Sequence, residues 1–440
     1  MATQVIGAGG TTTSFSNTPQ AKDDVFNLTE DTVVLASGSQ TSILLDVMLN
    51  DLGGAAKTLY SVDDAISDAA TGTKQYAPID LTKADALTNG VSGWESLGGG
   101  VLIRINNGKV EMDLSGYLAA HGFSSLQAMG PDDHINETFT YAIKLGNGTL
   151  SWASVSVNIQ GTNDDAIITA VTGADLTVVE AGGVANGTLN DPNASGQLTI
   201  TDPDAGQNHF QAPPSLLGTY GTFAFDTTNG VWAYTLNQAL ADPLTQGQHV
   251  TDTLTVKSAD GTASYNIVVN ITGTNDAATV SSDSKSVTEG DTAAALNTSG
   301  QLTITDPDTG EAHVVAQTNA AGAYGDFSID ADGAWTYTGN GAHNELTAGQ
   351  VVTDTFTVTS QDGTATGTVT VTITGTNDAA TVSSDSKSVT EGDTAAALNT
   401  SGQLTITDAD TGEAHVVAQT NAAGAYGDFS IDADGAWTYT

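Results

Sequence analysis

Apolar and polar residues alternate along much of the chain. In residues 368–374 valine and isoleucine take every second position and threonine takes the positions between them, and residues 355–359 alternate in the same way. A period of two is typical of a half-buried antiparallel strand. Ser360–Thr364 separates the two segments, so the sequence predicts a hairpin in which Gly363 supplies the positive φ of the turn.

Strand patterns of this kind recur about every 8–12 residues, and a unit of about 100 residues with this spacing is typical of a seven-stranded sandwich. Helical periodicity is nearly absent, and we predict one short helix at Tyr117–His121. Trp335 and Tyr337 have strand-interior spacing. We therefore expect both rings to pack between the sheets, a placement that the spacing favours over an exposed carbohydrate-binding platform.

The chain contains a tandem repeat. Residues 277–338 return as residues 379–440, 102 positions later, and the two segments differ only where Pro307 becomes Ala409. A diverged earlier copy runs from about residue 165 to residue 276. The motif Gly-Thr-Asn-Asp closes each unit, at residues 161–164, 273–276 and 375–378.

These repeats predict an all-β protein: a tandem array of immunoglobulin-like or cadherin-like antiparallel β-sandwiches, the last one truncated. The predicted division is a flexible leader at 1–21, an atypical first unit at 22–163 with inserted material at 60–130, a second unit at 164–276, a third at 277–378 and an incomplete fourth at 379–440. Because residues 339–378 have no counterpart after Thr440, we expect this sequence to be the beginning of a longer protein. The alternative is a mature terminus whose open sheet edge another chain covers.

The charge balance excludes several classes of function. The 440 residues include 51 Asp and Glu but only 10 Lys and Arg, which gives a formal net charge of −41. Such a chain repels phosphate backbones and has no basic patch, so nucleic-acid binding is excluded. The absence of cysteine rules out disulfides, zinc thiolate sites and iron–sulfur clusters. The sequence predicts neither a cleaved N-terminal signal peptide nor a transmembrane segment.

Acidic residues recur with the repeat in three places. In the third unit these are Glu289 at the first strand, Asp306 and Asp308 after a strand segment, and Asn275–Asp276 in the linker. In an end-to-end array the linker lies beside the loops at one pole of the next unit. Calcium requires six to eight oxygen ligands at about 2.3–2.6 Å, and carboxylates and amides drawn from several loops supply them.

Asp, Asn and Gly are also ordinary turn formers, so no single cluster is informative by itself. The repeated occurrence of all three clusters predicts calcium at one or more joints. The predicted ligands are Asn163, Asp164, Glu180, Asp202, Asp204, Asn275, Asp276, Glu289, Asp306, Asp308, Asn377, Asp378, Glu391, Asp408 and Asp410. A looser correspondence in the first unit involves Asp23, Asp24, Glu30 and Asp51. We interpret Asp332–Gly333 and Asp362–Gly363 as turns.

Sequence motifs of catalysis are missing from the chain. It contains no His-Glu-x-x-His, no Gly-x-Ser-x-Gly and no Gly-x-x-x-x-Gly-Lys-Ser/Thr. His313 and His415 are the same residue of the repeat, so a catalytic role would need a duplicated active site. We therefore interpret the protein as a non-enzyme.

The units resemble the VCBS repeat, a bacterial domain with a cadherin-like or immunoglobulin-like sandwich fold found in very long secreted proteins of the RTX adhesin type. The residues that carry the resemblance are 300–308, 324–327, 335–337, 353–358 and 373–378, and they recur over about 165–440. The first unit is similar to another cadherin-like bacterial module. The resemblance implies surface attachment, cohesion or biofilm matrix, and export by a type I secretion system that reads an uncleaved C-terminal signal.

The sequence favours a mechanical function: rigid sandwiches in series act as a spacer of a large extracellular adhesin, and calcium sets the stiffness of the joints. Two alternatives remain open. In one, residues 22–160 recognise a polysaccharide or a partner protein, and the repeats only space that domain. In the other, the near-identical repeats associate laterally with other copies of the chain in a matrix or surface layer.

Overall fold

The structure is a computed structural model that describes residues 3–6, 12–15, 20–64 and 80–440. Its described residues form strands with two short α-helices, α1 (Ser115–Ala120) and α2 (Gln238–Ala241). The helix predicted at Tyr117–His121 is therefore present, shifted toward the N-terminus. None of the helices in these ranges has the length and apolar character needed to cross a membrane. Short 3-10 helices cover Gly54–Ala56, Asp80–Thr82, Leu126–Ala128, Val184–Asn186, Ala293–Leu296 and Ala395–Leu398.

The predicted leader, residues 1–21, falls largely outside the described residues. Two short strands within it, β1 (Thr3–Ile6) and β2 (Thr12–Phe15), pair antiparallel. Part of the predicted insertion, residues 65–79, also falls outside the described residues.

Two sheets enclose the core of the first unit. One sheet has the order β1-β2-β10-β9-β5, with β3 paired to β10, and the other has the order β4-β8-β7-β6. The strands are β3 (Asp24–Thr29), β4 (Ser42–Leu45), β5 (Thr58–Asp64), β6 (Glu95–Gly98), β7 (Val101–Asn106), β8 (Lys109–Asp113), β9 (His134–Lys144) and β10 (Leu150–Gln160).

The second unit has a four-stranded sheet, β11-β13-β15-β14, facing a three-stranded sheet, β12-β17-β16. Its strands are β11 (Ile167–Ala170), β12 (Thr177–Val179), β13 (Asn193–Thr201), β14 (Gly221–Phe225), β15 (Val231–Leu236), β16 (His249–Lys257) and β17 (Ser264–Thr272).

The third unit repeats this plan with sheets β20-β24-β23-β22 and β19-β26-β25, and β18 pairs with β21. Its strands are β18 (Thr279–Val280), β19 (Asp283–Thr288), β20 (Thr298–Gln301), β21 (Ile304–Thr305), β22 (Gln317–Ala321), β23 (Gly325–Ile329), β24 (Ala334–Gly339), β25 (Val351–Thr359) and β26 (Thr366–Thr374).

The fourth unit has the sheet β28-β32-β31-β30 and the pair β27-β29. Its strands are β27 (Thr381–Val382), β28 (Thr400–Gln403), β29 (Ile406–Thr407), β30 (Gln419–Ala423), β31 (Asp428–Ile431) and β32 (Ala436–Tyr439). The all-β sandwich architecture predicted from the alternation is confirmed, and the unit boundaries remain predictions.

Not all strand pairs are antiparallel. In the first three units a strand near the start of the unit runs parallel to the last strand, as β19 does to β26 over six residue pairs. The same pairing joins β3 to β10 and β12 to β17. Alternation of apolar residues fixes which face of a strand is buried but not its direction, so the sequence pattern did not predict this feature.

The core of the third unit lies between its two sheets. Val369, Val371 and Ile373 on β26 are fully buried, and the stacked rings of Phe327 and Phe356 join the two layers with centroids 4.7 Å apart. Trp335 and Tyr337 are each 1% exposed, so their predicted core placement is confirmed. The predicted hairpin is also present, and Gly363 has φ +79°.

A buried carboxylate ties a loop of this unit to the core. Asp354 on β25 accepts hydrogen bonds from the backbone N–H groups of Ala323 and Tyr324, at 2.9 Å each, and from the Tyr337 hydroxyl at 2.7 Å. The second unit repeats the arrangement, with Asp252 accepting from Tyr234. Because this carboxylate is buried, its hydrogen bonds compensate the loss of water.

We expect Tyr337→Phe to destabilise the third unit by about 1–2 kcal/mol, because it removes one donor from the buried Asp354. Denaturant unfolding followed by hydrogen exchange of β24 and β25 measures the change. Tyr426→Phe is the control, since Tyr426 is 85% exposed. Equal stability of the two variants would contradict a role for this hydrogen bond.

Candidate metal centre

Acidic side chains gather where consecutive units meet. We define the first joint by Glu30, Asp164, Asp202 and Asp204, the second joint by Glu180, Asp242, Asp276, Asp306 and Asp308, and the third joint by Glu289, Asp378, Asp408 and Asp410. At each joint the Gly-Thr-Asn-Asp motif links the last strand of one unit to the next unit. The second joint shows the geometry in most detail.

The glycine and threonine of the motif place the linker against the preceding unit. A Cβ atom on Gly273 would lie 2.6 Å from the carbonyl oxygens of Leu244 and Thr245, so only glycine fits there. The next residue, Thr274, donates its backbone N–H to Oε2 of Glu180 at 3.0 Å. The glutamate is thereby fixed directly after β12 of its unit.

The asparagine and aspartate of the motif attach the linker to the following unit. Asn275 donates its side-chain amide to the carbonyl oxygen of Asp276 at 2.7 Å. Asp276 in turn donates its backbone N–H to Oδ2 of Asp308 at 2.9 Å, and Asp308 donates its own N–H to Oδ1 of Asp306 at 3.0 Å. The predicted ligands of both units are therefore brought together by the linker backbone.

The other two joints repeat these hydrogen bonds. Thr162 donates its backbone N–H to Glu30 at 2.6 Å in the first joint, and Thr376 donates to Glu289 at 2.8 Å in the third. The corresponding aspartate-to-aspartate bonds are Asp164 to Asp204, Asp204 to Asp202, Asp378 to Asp410 and Asp410 to Asp408. The motif thus performs the same structural task three times.

A further carboxylate, Asp242, completes the second joint. One oxygen atom each of Glu180, Asp242 and Asp276 lies within 4.8 Å of the others. Asp242 directly follows α2, and the neighbouring Pro243 accepts the backbone N–H of Thr309 across the joint at 3.2 Å. The second joint therefore holds carboxylates from both units and from the linker.

Most of these carboxylates leave a buried oxygen atom without a partner. Glu180, Asp306 and Asp308 use their other oxygen atom to accept a backbone N–H group. In the second joint the unpartnered buried atoms are Oε1 of Glu180, Oδ2 of Asp276, Oδ2 of Asp306 and Oδ1 of Asp308. The first joint leaves such atoms on Glu30, Asp164, Asp202 and Asp204, and the third on Glu289, Asp378 and Asp410. Within the described part of the chain, no Lys or Arg forms an ion pair with any of these residues.

Burial of these groups disfavours their charged forms. Burial, together with the neighbouring charges of Asp276, Asp242 and Asp308, raises the pKa of Glu180 to about 8. Burial and neighbouring carboxylates likewise raise the pKa values of Asp276 and Asp308 to about 6. As the pH rises through these values, the second joint gains mutually repelling carboxylates, and a bound cation would relieve that repulsion.

The donor set fits calcium. It consists of oxygen atoms only, most of them charged, supplied by strand ends and loops of two units, as a hard cation with a high coordination number requires. The unpartnered buried oxygens are an independent sign, because buried polar atoms normally have a partner. Glu180, Asp242, Asp276, Asp306 and Asp308 would hold the ion in the second joint.

The joints differ at the position of Asp242. The backbone bond from Thr309 to Pro243 has its counterpart in the third joint, where Thr411 donates to Glu345 at 3.2 Å. The residue before Glu345 is Asn344, whose Oδ1 is buried without a partner. An amide oxygen therefore replaces a carboxylate there, and the third joint carries one negative charge less than the second.

The turn residue Asp362 was interpreted too narrowly from the sequence. Asp362 does form its predicted turn, where it accepts the backbone N–H of Thr364. Its Oδ2 also accepts from the side chain of Asn275, 3.2 Å away at the second joint. Burial opposes ionisation of Asp362, but hydrogen bonds from Ser360, Thr364 and Asn275 lower its pKa to about 2. Asp260 has the same relation to Asn163 at the first joint.

Sequence reasoning missed Asp242 as a joint residue. The available signal was its position one period before Asn344, since both side chains offer an oxygen ligand. Only one member of this pair is a carboxylate, so the recurrence of carboxylates alone does not indicate it.

Some predicted residues lie away from the joints. Glu391 is exposed and borders a groove of the fourth unit rather than a cluster of carboxylates. In the first unit Glu30 does join the first joint, whereas Asp24 and Asp51 surround the hydroxyl of Tyr141 at 2.9–3.1 Å. Asp23 accepts the backbone N–H of Ser154.

We expect the cation-free protein to lose stability as the pH rises. The pKa of Glu180 is about 8 in the folded state against an ordinary value of 4.5, so the folded chain binds more protons over this interval. The melting temperature in EDTA should therefore fall between about pH 5 and pH 8. Glu180→Gln should flatten that fall, whereas Asp393→Asn, an exposed control, should not. An identical pH profile for both variants would contradict the assignment.

Residues 275–375 match the bacterial cadherin-like domain family. The match begins at the linker of the second joint and spans the third unit. No curated protein matches the chain.

Several solved cadherin fragments are similar to the chain. The protocadherin γB4 extracellular domain has a TM-score of 0.34 and 13% identity, over 95% of this chain and 60% of its own length. Protocadherin γB2 domains 1–5 give 0.35 and 13%, over 97% and 74%. Mouse cadherin-23 domains EC22–24 give 0.30 and 14%, over 81% and 96%. The chain spans about 60% of the length of the γB4 ectodomain. Over its third unit the chain is similar to bacterial cadherin-like domains.

Proposed function

We propose that this protein is a non-enzymatic spacer of an extracellular bacterial adhesin, in which calcium at the joints stiffens a row of β-sandwiches. The observation that carries the proposal is the set of buried carboxylate oxygens without partners, which recurs at three joints. The match of residues 275–375 to the bacterial cadherin-like domain supports an adhesion-type module. Secretion by a type I system and a role in biofilm cohesion belong to the same proposal.

Calcium would stiffen a joint because its ligands belong to two units. In the second joint Glu180 and Asp242 belong to one unit, while Asp306 and Asp308 belong to the next. A rotation of either unit would move ligand oxygens apart and weaken the binding of the ion. Binding free energy is thereby converted into resistance to bending, and it also stabilises the folded state by mass action.

The acidity of the chain suits export before folding. A cytosol with little free calcium leaves the carboxylates repelling one another, and this repulsion opposes compact joints. Calcium at millimolar concentration outside the cell would then bind the folded units. Folding of the joints would be coupled to arrival in the extracellular medium.

We expect calcium to raise the melting temperature and to lengthen the molecule. Small-angle X-ray scattering in calcium and in EDTA measures the maximum dimension and the spread of shapes, and calorimetry measures the transition. Magnesium at equal concentration is the control for ionic strength. Identical scattering and identical melting in calcium and EDTA would contradict the proposal.

The charge difference between joints provides a matched pair of variants. Asp242→Asn should weaken calcium binding at the second joint about tenfold, and Asn344→Asp should strengthen it at the third joint by a similar factor, because calcium affinity follows the number of charged ligands. Hydrogen exchange of residues 273–278 and 375–380 across a calcium titration measures calcium binding at the second and third joints separately. If both variants leave both titration curves unchanged, these side chains are not ligands.

A further inference from the structure

The second joint contains a loop that the third joint lacks. We call residues 182–188 the inserted loop. Fifteen residues separate Glu180 from the next Gly-Gln-Leu-Thr motif in the second unit, but ten separate Glu289 from the same motif in the third. Among the described residues, the shorter segment after Glu289 makes no backbone hydrogen bond to the linker residues 375–378. The two joints therefore differ in a structural element as well as in the charge at the position of Asp242.

Backbone contacts attach the inserted loop to the linker of the second joint. Gly183 donates its N–H to the carbonyl oxygen of Asn275 at 2.8 Å and accepts the N–H of Ala277 at 3.3 Å. A Cβ atom on the preceding residue, Gly182, would lie 2.8 Å from the same Asn275 oxygen, so this close approach requires glycine. The inserted loop is consequently held beside Asp276, which lies between the two linker residues that Gly183 binds.

The inserted loop also brings an amide side chain to the carboxylates. Asn186 donates a hydrogen bond from Nδ2 to Oδ1 of Asp242 at 3.1 Å, and Asp242 is one of the three carboxylates whose oxygen atoms lie within 4.8 Å of one another. Because the nitrogen and the oxygen of an amide share one carbon atom, this hydrogen bond also holds Oδ1 of Asn186 close to Asp242. That oxygen is buried and has no hydrogen-bond partner in the described part of the chain. Buried amide oxygens normally have a partner, so this atom lacks either a donor or a cation.

We propose, on the basis of the proposed function, that the amide oxygen of Asn186 is a further ligand of the calcium ion at the second joint. Calcium accepts amide oxygens beside carboxylates and takes about six to eight oxygen ligands. A neutral oxygen raises the coordination number without adding to the repulsion among the carboxylates. The side chains that would hold the ion are then Glu180, Asn186, Asp242, Asp276, Asp306 and Asp308.

A purely structural role for Asn186 has a different requirement. An amide that only ties the inserted loop to Asp242 needs its nitrogen and gains nothing from a buried oxygen without a donor. A ligand needs the oxygen, and the nitrogen then serves to position it. Asn186→Asp separates the two roles, because it replaces the nitrogen with oxygen and keeps the shape of the side chain.

Two variants of the full chain test the assignment. Asn186→Gly removes the side chain and suits the local backbone, since Asn186 has φ +56°. It should raise the calcium concentration that half-protects residues 273–278 from hydrogen exchange about tenfold, because one ligand is lost. Asn186→Asp keeps an oxygen ligand and adds a charge, so it should lower that concentration. In EDTA Asn186→Asp should melt at a lower temperature than the wild-type chain, because the added charge is then uncompensated.

Two controls accompany these variants. Hydrogen exchange of residues 375–380 measures calcium binding at the third joint in the same titration, and it should be the same in every chain. Val184→Ala changes a side chain of the inserted loop that is 79% exposed. This variant should leave the titration curves of both joints unchanged.

The outcomes distinguish this proposal from the proposed function. Calcium-dependent exchange at the second joint that Asn186→Gly leaves unchanged would overturn the assignment of Asn186 alone. Weaker calcium binding in both Asn186→Gly and Asn186→Asp would also overturn it, because the nitrogen rather than the oxygen would then be the required atom. A wild-type chain whose exchange does not respond to calcium at either joint would overturn the proposed function as well.

Discussion

The joints depend on a conflict between backbone hydrogen bonding and charge repulsion. At the second joint Glu180 and Asp308 each accept a backbone N–H group, and these bonds hold the linker in place. The same bonds bring carboxylates together in buried surroundings without a Lys or Arg partner among the described residues. The geometry that orders the linker therefore also places like charges close together, which favours the binding of a cation. The same residues order the linker and would bind the ion.

Periodicity predicted much of the fold and most of the joint residues. The alternation around Val371 identified the buried face, and the spacing of Trp335 and Tyr337 identified the core aromatic residues. Glu180, Asp276 and Asp308 were found because their residue types recur with the period.

The remaining features have no such signal in one sequence. Asp242 was missed because its counterpart is Asn344, so a search for recurring charge does not detect it. Asp362 serves a turn and a joint at once, and the turn alone explains its presence in the sequence. The parallel pairing of β19 with β26 depends on chain direction, about which an alternating pattern contains no information.

The parallel pairing has a mechanical consequence. In the third unit the entering strand and the leaving strand lie side by side over six residue pairs, so tension applied along the chain loads those backbone hydrogen bonds in shear, all at once rather than one after another. The second unit pairs only three residues in this way, between β12 and β17. Of the three units that contain this pairing, the second is therefore the one whose terminal strand detaches at the lowest force.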